Sequence, residues 1–372
     1  MRFLATAILR LCCQLLPPDK RPWGRAAFGE LSAIERPGEA LSFALGCLAW
    51  ATRYAVVARP SFLLNRKDHA VTSPHIISGS RAVALSCAAA AATLGMIYMA
   101  MGGAPSRYLM INAAAFAFGL TVLGILALAD RRRHLPGRSL VLVSGAALLA
   151  TALFGVRIDG ISRWLALGPL TIQPSMMLLP LMMVLFARYR DALSLFGIAL
   201  AALALALQPD RGMAGALVAG LAVLAFTRPN RNVLSALAFA VVGFAATVAQ
   251  ADPSPAMPFV DRIFYSSFSV HPLAGTVVLL GAALLIVPVF AVRGPGAPET
   301  AVFGAVWAAL IVAAALGNYP TPIVGYGGSA VIGYLIALVS FPRRAGPVGS
   351  PEQGVAPARS SGDDCSPYLA TV

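Results

Sequence analysis

The sequence predicts an all-α, polytopic membrane protein, and three observations support that prediction. Hydrophobic residues make up 58% of the chain, charged residues only 12%, and the mean hydropathy is +0.78. Soluble globular domains carry a charged fraction of about 25%. Between residues 82 and 342 the apolar residues also form regularly spaced segments, most of them near the length that crosses a bilayer.

Ten apolar segments follow one another in this region, and each is expected to form a transmembrane helix. Several are short, which predicts tilted helices or a locally thinned bilayer. The segments are 82–101, 108–129, 139–156, 174–187, 192–207, 212–226, 233–249, 272–292, 300–317 and 324–342.

Two regions precede the ten segments and one follows them. Residues 1–60 contain one or two apolar helices, and no cleavage site of a secretory signal is present. Residues 61–81 are expected to form a basic cytoplasmic linker. Residues 343–372 are rich in Pro, Gly and Ser, which predicts a disordered cytoplasmic tail.

The net charge of +13 comes almost entirely from arginine, since Lys20 and Lys67 are the only lysines. In so apolar a chain this charge is typical of cytoplasmic loops, and no nucleic-acid partner is expected. Successive loops between membrane-crossing segments lie on alternate sides of the membrane. On this basis eleven arginines fall on one side: Arg131, Arg132, Arg133, Arg138, Arg188, Arg190, Arg228, Arg231, Arg293, Arg343 and Arg344. Five fall on the other: Arg107, Arg157, Arg163, Arg211 and Arg262. The positive-inside rule makes the first side cytoplasmic, together with the C-terminus.

The stretch 157–180, RIDGISRWLALGPLTIQPSMMLLP, interrupts the apolar pattern with several charges. It is predicted to be a structured loop at the outer membrane face that leads into a helix beginning near Pro174. On the same topology, four acidic residues of the ten-segment region face outward. A general base on that side would come from these four, from His271 or from another chain. The four are Asp159, Asp210, Asp252 and Asp261.

Four motifs in this region resemble the SEDS family (RodA, FtsW, SpoVE), and they occur in the family's order. The family sequences are RWL-x-LG…QPSE, QPD-x-G, TDFIF and SYGGS. The matching residues here are Arg163-Trp164-Leu165, Leu167-Gly168 and Gln173-Pro174-Ser175; Gln208-Pro209-Asp210 and Gly212; Asp261, Ile263 and Phe264; and Tyr326-Gly327-Gly328-Ser329. Residues 1–60, with LLPPDKRPWGRAAFGELSAI, resemble a small uncharacterised module of bacterial membrane proteins.

SEDS proteins polymerise lipid II, the lipid-linked precursor of the cell wall, in the bacterial inner membrane during division or elongation. The resemblance implies that Asp261 is the catalytic base and that a class B penicillin-binding protein is the partner. It also suggests a divalent cation, Mg²⁺ or Mn²⁺. The residues that it implies for pyrophosphate or sugar binding are Arg163, Trp164, Gln173, Ser175, Asp210, Tyr326, Gly327, Gly328 and Ser329.

Local physical chemistry offers structural interpretations for some of these residues. Pro209 ends one helix, so Asp210 is expected to cap the next by accepting hydrogen bonds from its free amides. Arg163 is either a phosphate contact, because guanidinium groups suit pyrophosphate oxygens, or an interfacial anchor beside Trp164. Asp261 in isolation would be a solvated loop residue paired with Arg262.

The chain departs from the family at several positions. The acid that usually follows Gln-Pro-Ser is Met176, the lysine expected three residues later is Leu179, and Gly325 replaces a serine. The outward loop before Asp261, within 250–271, is also short. Two hypotheses therefore stand: a lipid II polymerase, favoured by Asp261, and an inactive module that binds a lipid-linked sugar or a division or elongation partner, favoured by the departures.

Overall fold

A computed structural model describes most of the chain between residues 21 and 341. The described residues are 5, 6, 8, 9, 21–34, 36, 38–48, 50, 80–133, 136–168, 170–250, 255–292 and 296–341. The tail 343–372, nearly all of the linker 61–81, and Asp252 lie outside them.

The described region is mostly helical. Near the N-terminus lie α1 (Arg21–Ala33) and α2 (Gly38–Leu48). The helices that follow are α3 (Ser80–Met101), α4 (Ser106–Arg133), α5 (Gly137–Phe154), α6 (Pro174–Tyr189), α7 (Ala192–Leu207), α8 (Arg211–Thr227), α9 (Arg231–Val248), α10 (Ile263–Val270), α11 (Pro272–Leu284), α12 (Pro288–Ala291), α13 (Ala297–Leu316) and α14 (Gly328–Ala337), which continues as a 3₁₀ turn, Leu338–Ser340.

All ten predicted apolar segments are helical, which confirms a polytopic, largely α-helical protein. Six of the described spans are long and apolar enough to cross a membrane: Ser80–Met101, Ser106–Ala129, Gly137–Phe154, Arg231–Val248, Pro272–Phe290 and Ala297–Leu316. The other four segments, which lie on α6, α7, α8 and α14, are shorter apolar helices. The count of ten membrane crossings stays a prediction.

The stretch after α5, predicted to be a structured loop, forms a small antiparallel sheet within the otherwise helical fold. Its strands, β1 (Val156–Ile158), β2 (Ile161–Leu167) and β3 (Leu170–Ile172), pair in the order β1-β2-β3. Asp159 and Gly160 form the first turn, with φ of 49° and 81°. An Asp-Gly pair suits such a two-residue hairpin turn because both positions need positive φ.

The helix α6 lies at the centre of the main hydrophobic core. Twelve of its sixteen residues are buried, on every side of the helix. This burial on all sides requires neighbouring helices on all sides, and α6 packs against α5, α13 and α14. The start of α6, which carries the Gln-Pro-Ser motif, is thereby fixed inside the bundle.

The polar contacts at the helix ends agree with the two groups of loops defined by the charge pattern. Arg138 pairs with Asp191 at 2.7 Å and Arg228 pairs with Glu299 at 3.0 Å, so loops assigned to one side contact each other. Arg188 donates to the carbonyl of Ser340 at 2.9 Å on that same side. The loops assigned to the other side form the candidate site described below.

The N-terminal residues have a small core of their own. Ala27 of α1 packs with Ala40, Ala44 and Cys47 of α2. The expectation of one or two apolar helices in residues 1–60 stays a prediction.

Candidate functional site

Arg163 lies in an irregular part of β2 that directs its side chain inward. The register between β1 and β2 shifts between the pairs Val156–Trp164 and Ile158–Ile161, and such irregularities reorient side chains. The guanidinium of Arg163 is 6% exposed and donates from Nε to the carbonyl of Gln208 at 2.9 Å and from Nη2 to that of Pro209 at 2.5 Å. Arg163 therefore joins the sheet to the connection between α7 and α8, and its role as a phosphate contact stays a prediction.

Gln173 and Ser175 mark the start of α6. Gln173 is the N-cap residue and Pro174 follows at the first helical position, as predicted, where the missing amide of proline costs nothing. The backbone amide of Gln173 donates to Oγ of Ser329 at 2.9 Å. This bond joins two of the predicted motifs, Gln-Pro-Ser and Gly-Gly-Ser.

Asp210 is the centre of a buried polar cluster. Its Oδ2 accepts hydrogen bonds from Nε2 of Gln173 at 2.8 Å and from Oγ of Ser175 at 3.2 Å. Its Oδ1 accepts from the amide of Met213 at 3.1 Å, which confirms the predicted cap of α8, and from the hydroxyl of Tyr319 at 3.0 Å. The carboxylate is fully buried, and these four donors offset the loss of its hydration.

Tyr319 was not expected from the sequence. It lies between α13 and α14, and its ring packs so closely on Gly212 that a Cβ there would come within 2.2 Å of the ring. Burial, and then the charge of Asp210, raises the pKa of Tyr319 well above its usual value, so the phenol stays protonated and donates. Only tertiary packing places it beside Asp210, so the signal was absent from the local sequence.

Asn112 of α4 is a second residue that the sequence did not indicate. Its side-chain amide donates to the carbonyl of Gly325 at 2.8 Å and accepts from the amide of Gly327 at 3.1 Å. Its side chain thus bridges both sides of the turn at Tyr326. Asn112 therefore fixes the turn that precedes Gly328 and Ser329 at the start of α14.

Tyr326 takes part in an aromatic stack at the N-terminal end of α4. Its ring lies 3.9 Å from that of Tyr108, with an angle of 12° between the planes. The guanidinium carbon of Arg107 is 5.5 Å from the centre of the Tyr108 ring, within the range of a cation–π contact. Arg107 is exposed and both rings are partly exposed.

Asp261 lies in a tight turn just before α10. Its Oδ2 accepts from the amide of Met257 at 2.9 Å, and its own amide donates to the carbonyl of Met257 at 3.0 Å. Phe259 and Arg262 have φ of 62° and 57°, values that cost energy for residues with side chains and that are frequent at functional sites. The side chain of Asp261 is partly exposed.

The turn of Asp261 pairs with the segment that contains Tyr319. Asp261 forms a β-bridge with Pro320, and the amide of Thr321 donates to the carbonyl of Val260 at 2.9 Å. The structure thus connects Asp261 to the Asp210 cluster through two consecutive residues, Tyr319 and Pro320. A pocket of about 550 Å³ opens beside the turn, lined by Arg262, Tyr265, Ala315, Leu316, Gly317 and Asn318.

Met176 and Leu179 lie in the hydrophobic core, with 3% and 0% of their surfaces exposed. These are the positions at which the resembled family carries an acid and a lysine. Neither position faces an aqueous site, so the polar cluster around Asp210 contains neither family group.

A divalent cation would find few protein ligands here. Among the described residues, no three His, Cys, Asp or Glu side chains come together. Mg²⁺, however, is commonly held by one or two carboxylates together with phosphate oxygens of the substrate. The single carboxylate of Asp261 would fit that arrangement.

Comparisons with known proteins identify the fold. No family model matches the chain, and neither does any curated protein. Among solved structures, the chain is similar to the rod shape determining protein RodA of Thermus thermophilus, with 24% identity and a TM-score of 0.51 over 69% of this chain and 93% of that one. A mutant of that protein has 24% identity and a TM-score of 0.50 over 69% of this chain and 94% of the mutant chain. A chain of a peptidoglycan synthase complex has 24% identity and a TM-score of 0.48 over 69% of this chain and 94% of that one. The chain therefore has the fold of RodA, as the sequence predicts.

Proposed function

We propose that this protein polymerises lipid II at the outer face of the bacterial inner membrane, as a SEDS-type peptidoglycan glycosyltransferase. The observation that carries the proposal is the position of Asp261. In a chain with the RodA fold, this acid lies in a turn with two positive-φ residues and pairs with the segment that leads to Gly327, Gly328 and Ser329. The four resembling motifs therefore form one connected region.

The reaction is a transfer of a sugar between two oxygen atoms. The carboxylate of Asp261 takes the proton from a hydroxyl of the acceptor sugar, and that oxygen attacks the anomeric carbon of the donor. The bond from this carbon to the pyrophosphate oxygen breaks, and undecaprenyl pyrophosphate leaves with the electron pair. A base in this role contributes about 10²–10⁴-fold to the rate.

The leaving pyrophosphate needs positive charge near it. Arg163 already donates to two carbonyls, whereas Arg107 and Arg262 are exposed, one beside Tyr326 and the other next to Asp261. Arg107 and Arg262 are therefore candidates alongside Arg163. A divalent ion held by Asp261 and substrate phosphates would add charge at the same place.

The remaining parts of the proposal follow from the resemblance and the charge pattern. We propose ten membrane crossings, a cytoplasmic C-terminus and an outward-facing site. A class B penicillin-binding protein would act as the partner that cross-links the glycan during division or elongation.

The test is polymerisation of purified lipid II in liposomes, with and without a class B penicillin-binding protein. Wild-type protein is expected to make glycan, and Asp261→Asn to reduce the rate by about 10²-fold or more because the base is lost. Asp159→Asn is the matched control, since Asp159 lies in an exposed hairpin turn on the same predicted side. An active Asp261→Asn variant would contradict the assigned role.

The second candidate function is an inactive module that binds a lipid-linked sugar or a division or elongation partner. The burial of Met176 and Leu179 in the core favours it. If wild-type protein makes no glycan where an active family member does, but immobilised protein in detergent still retains lipid II, this function replaces the first.

A further inference from the structure

Tyr319 lies between the buried polar cluster around Asp210 and the partly exposed turn of Asp261. Its hydroxyl donates to Oδ1 of Asp210 at 3.0 Å, and its ring is 7% exposed and packed on Gly212. A hydrogen bond from a neutral donor to a buried carboxylate is stronger than one between neutral groups. The position of Tyr319 is therefore fixed from the inside of the bundle.

The residues after Tyr319 hold the turn of Asp261. Pro320 forms the β-bridge with Asp261, the amide of Thr321 donates to Val260 at 2.9 Å, and the amide of Tyr326 donates to Phe259 at 2.7 Å. Each of these contacts reaches the turn from the same segment, 319–326. A displacement of Tyr319 would reach Asp261 through the adjacent Pro320, whose ring restricts the backbone.

The other donors to Asp210 come from elements that do not belong to the turn. Gln173 and Ser175 belong to the start of the buried helix α6, and the amide of Met213 belongs to α8. The carboxylate is therefore fixed from two helices before Tyr319 binds to it. The sequence suggests no such role for Tyr319, which belongs to none of the four motifs.

We propose that Tyr319 is a positioning residue: its hydrogen bond to Asp210 holds the turn at residues 257–262 in the geometry that presents Asp261 to the acceptor sugar. The structural half of this proposal stands on the contacts alone. The catalytic half rests on the proposed function.

The test uses Tyr319→Phe, which removes one hydroxyl group and keeps the ring. Tyr334→Phe is the matched control, because Tyr334 is fully buried and its hydroxyl donates to a backbone carbonyl, that of Leu285, at 3.4 Å. Full-length variants in nanodiscs would be compared by hydrogen–deuterium exchange in peptides that cover 257–262 and 319–326. Tyr319→Phe is expected to raise exchange several-fold in these two peptides only, and Tyr334→Phe to leave both unchanged.

The kinetic arm separates positioning from binding. In lipid II polymerisation, Tyr319→Phe is expected to lower kcat by about 10- to 100-fold, since small misplacements of a catalytic group have effects of that size. KM is expected to stay unchanged, because Tyr319 is buried away from the substrate.

The outcomes separate this proposal from the proposed function. If both peptides of the Tyr319→Phe variant exchange at the wild-type rate, the positioning role is overturned, even if wild-type protein makes glycan. An equal rise in exchange over the whole chain would also overturn it, because the hydroxyl would then serve general stability. If wild-type protein makes no glycan but the local rise is seen, the proposed function fails and the structural link stands.

Discussion

At the scale of single residues, Asp210 shows how a buried carboxylate is held by hydrogen-bond donors from four different residues. Three side chains and one backbone amide donate to its two oxygens. The two carboxylate oxygens accept from all four donors, which would be costly to leave unpaired in the buried cluster. Asp210 therefore acts as a structural anchor of the site.

Asp210→Asn is expected to destabilise the protein by about 2–4 kcal/mol. The variant loses the charge, and its amide nitrogen would face donors instead of accepting from them. Thermal unfolding of the purified protein in detergent would measure the loss. Asp159→Asn changes the same group at an exposed turn where asparagine is well tolerated, so its stability should stay within about 0.5 kcal/mol of wild type. Equal effects of the two variants would contradict the anchor role.

Part of this cluster could be predicted from the sequence. The Gln-Pro-Asp order predicts that Asp210 caps a helix after Pro209, and the cap is observed. Tyr319 and Asn112 could not be predicted, because each contributes through a contact more than one hundred residues away in sequence. No local pattern specifies which distant residue completes such a cluster.

At the scale of elements, the site depends on close packing of α6 against α14. A Cβ added at Gly333 of α14 would lie 2.0 Å from the carbonyl oxygen of Met176 on α6. The bond between Gln173 and Ser329 lies one to two turns away along the same pair of helices. The distance between the two helices therefore determines whether the motifs can meet.

Gly333→Ala is expected to destabilise the protein by about 1–3 kcal/mol, because the backbone of α6 must shift to admit the methyl group. Gly124→Ala is the control. Gly124 is an exposed glycine inside α4 with open space around it, where alanine favours a helix by about 1 kcal/mol. Thermal melts should therefore shift in opposite directions for the two variants. A stable Gly333→Ala variant would show that the two helices can move apart freely.

The sheet between α5 and α6 lies where the sequence analysis predicted a structured loop but did not predict its strands. Charged residues in an apolar chain indicated a loop, but the pair Asp159-Gly160 between alternating residues is a signal for a hairpin. The ten helical segments were predictable because apolar runs in a membrane chain leave the backbone few alternatives to a helix. The short strands contain no comparable run of apolar residues.

At the scale of the whole molecule, the charge pattern and the contacts agree on two opposite groups of loops. Arg81 and Arg188 both donate to carbonyls of the last turn, those of Val339 and Ser340, where cations suit the negative end of a helix. Tyr319, Asp261 and the sheet belong to the other group. The assignment of the groups to the cytoplasm and the outside is a prediction of the positive-inside rule.

Single cysteines would test that assignment. In a background without native cysteines, Asp159→Cys is expected to react with a membrane-impermeant maleimide in intact spheroplasts. Arg231→Cys, exposed at the start of α9, is expected to react only after permeabilisation. The reverse pattern would invert the topology and place Asp261 on the cytoplasmic side.

The burial of Met176 and Leu179 restricts which substitutions these two positions tolerate. Both side chains are enclosed by the apolar core, where a lone carboxylate or a lone ammonium group would lose its hydration without a partner. Introducing the acid or the lysine by itself would therefore destabilise the fold, and only the simultaneous exchange of both could form a pair. We therefore expect the effects of the two substitutions on stability to be non-additive.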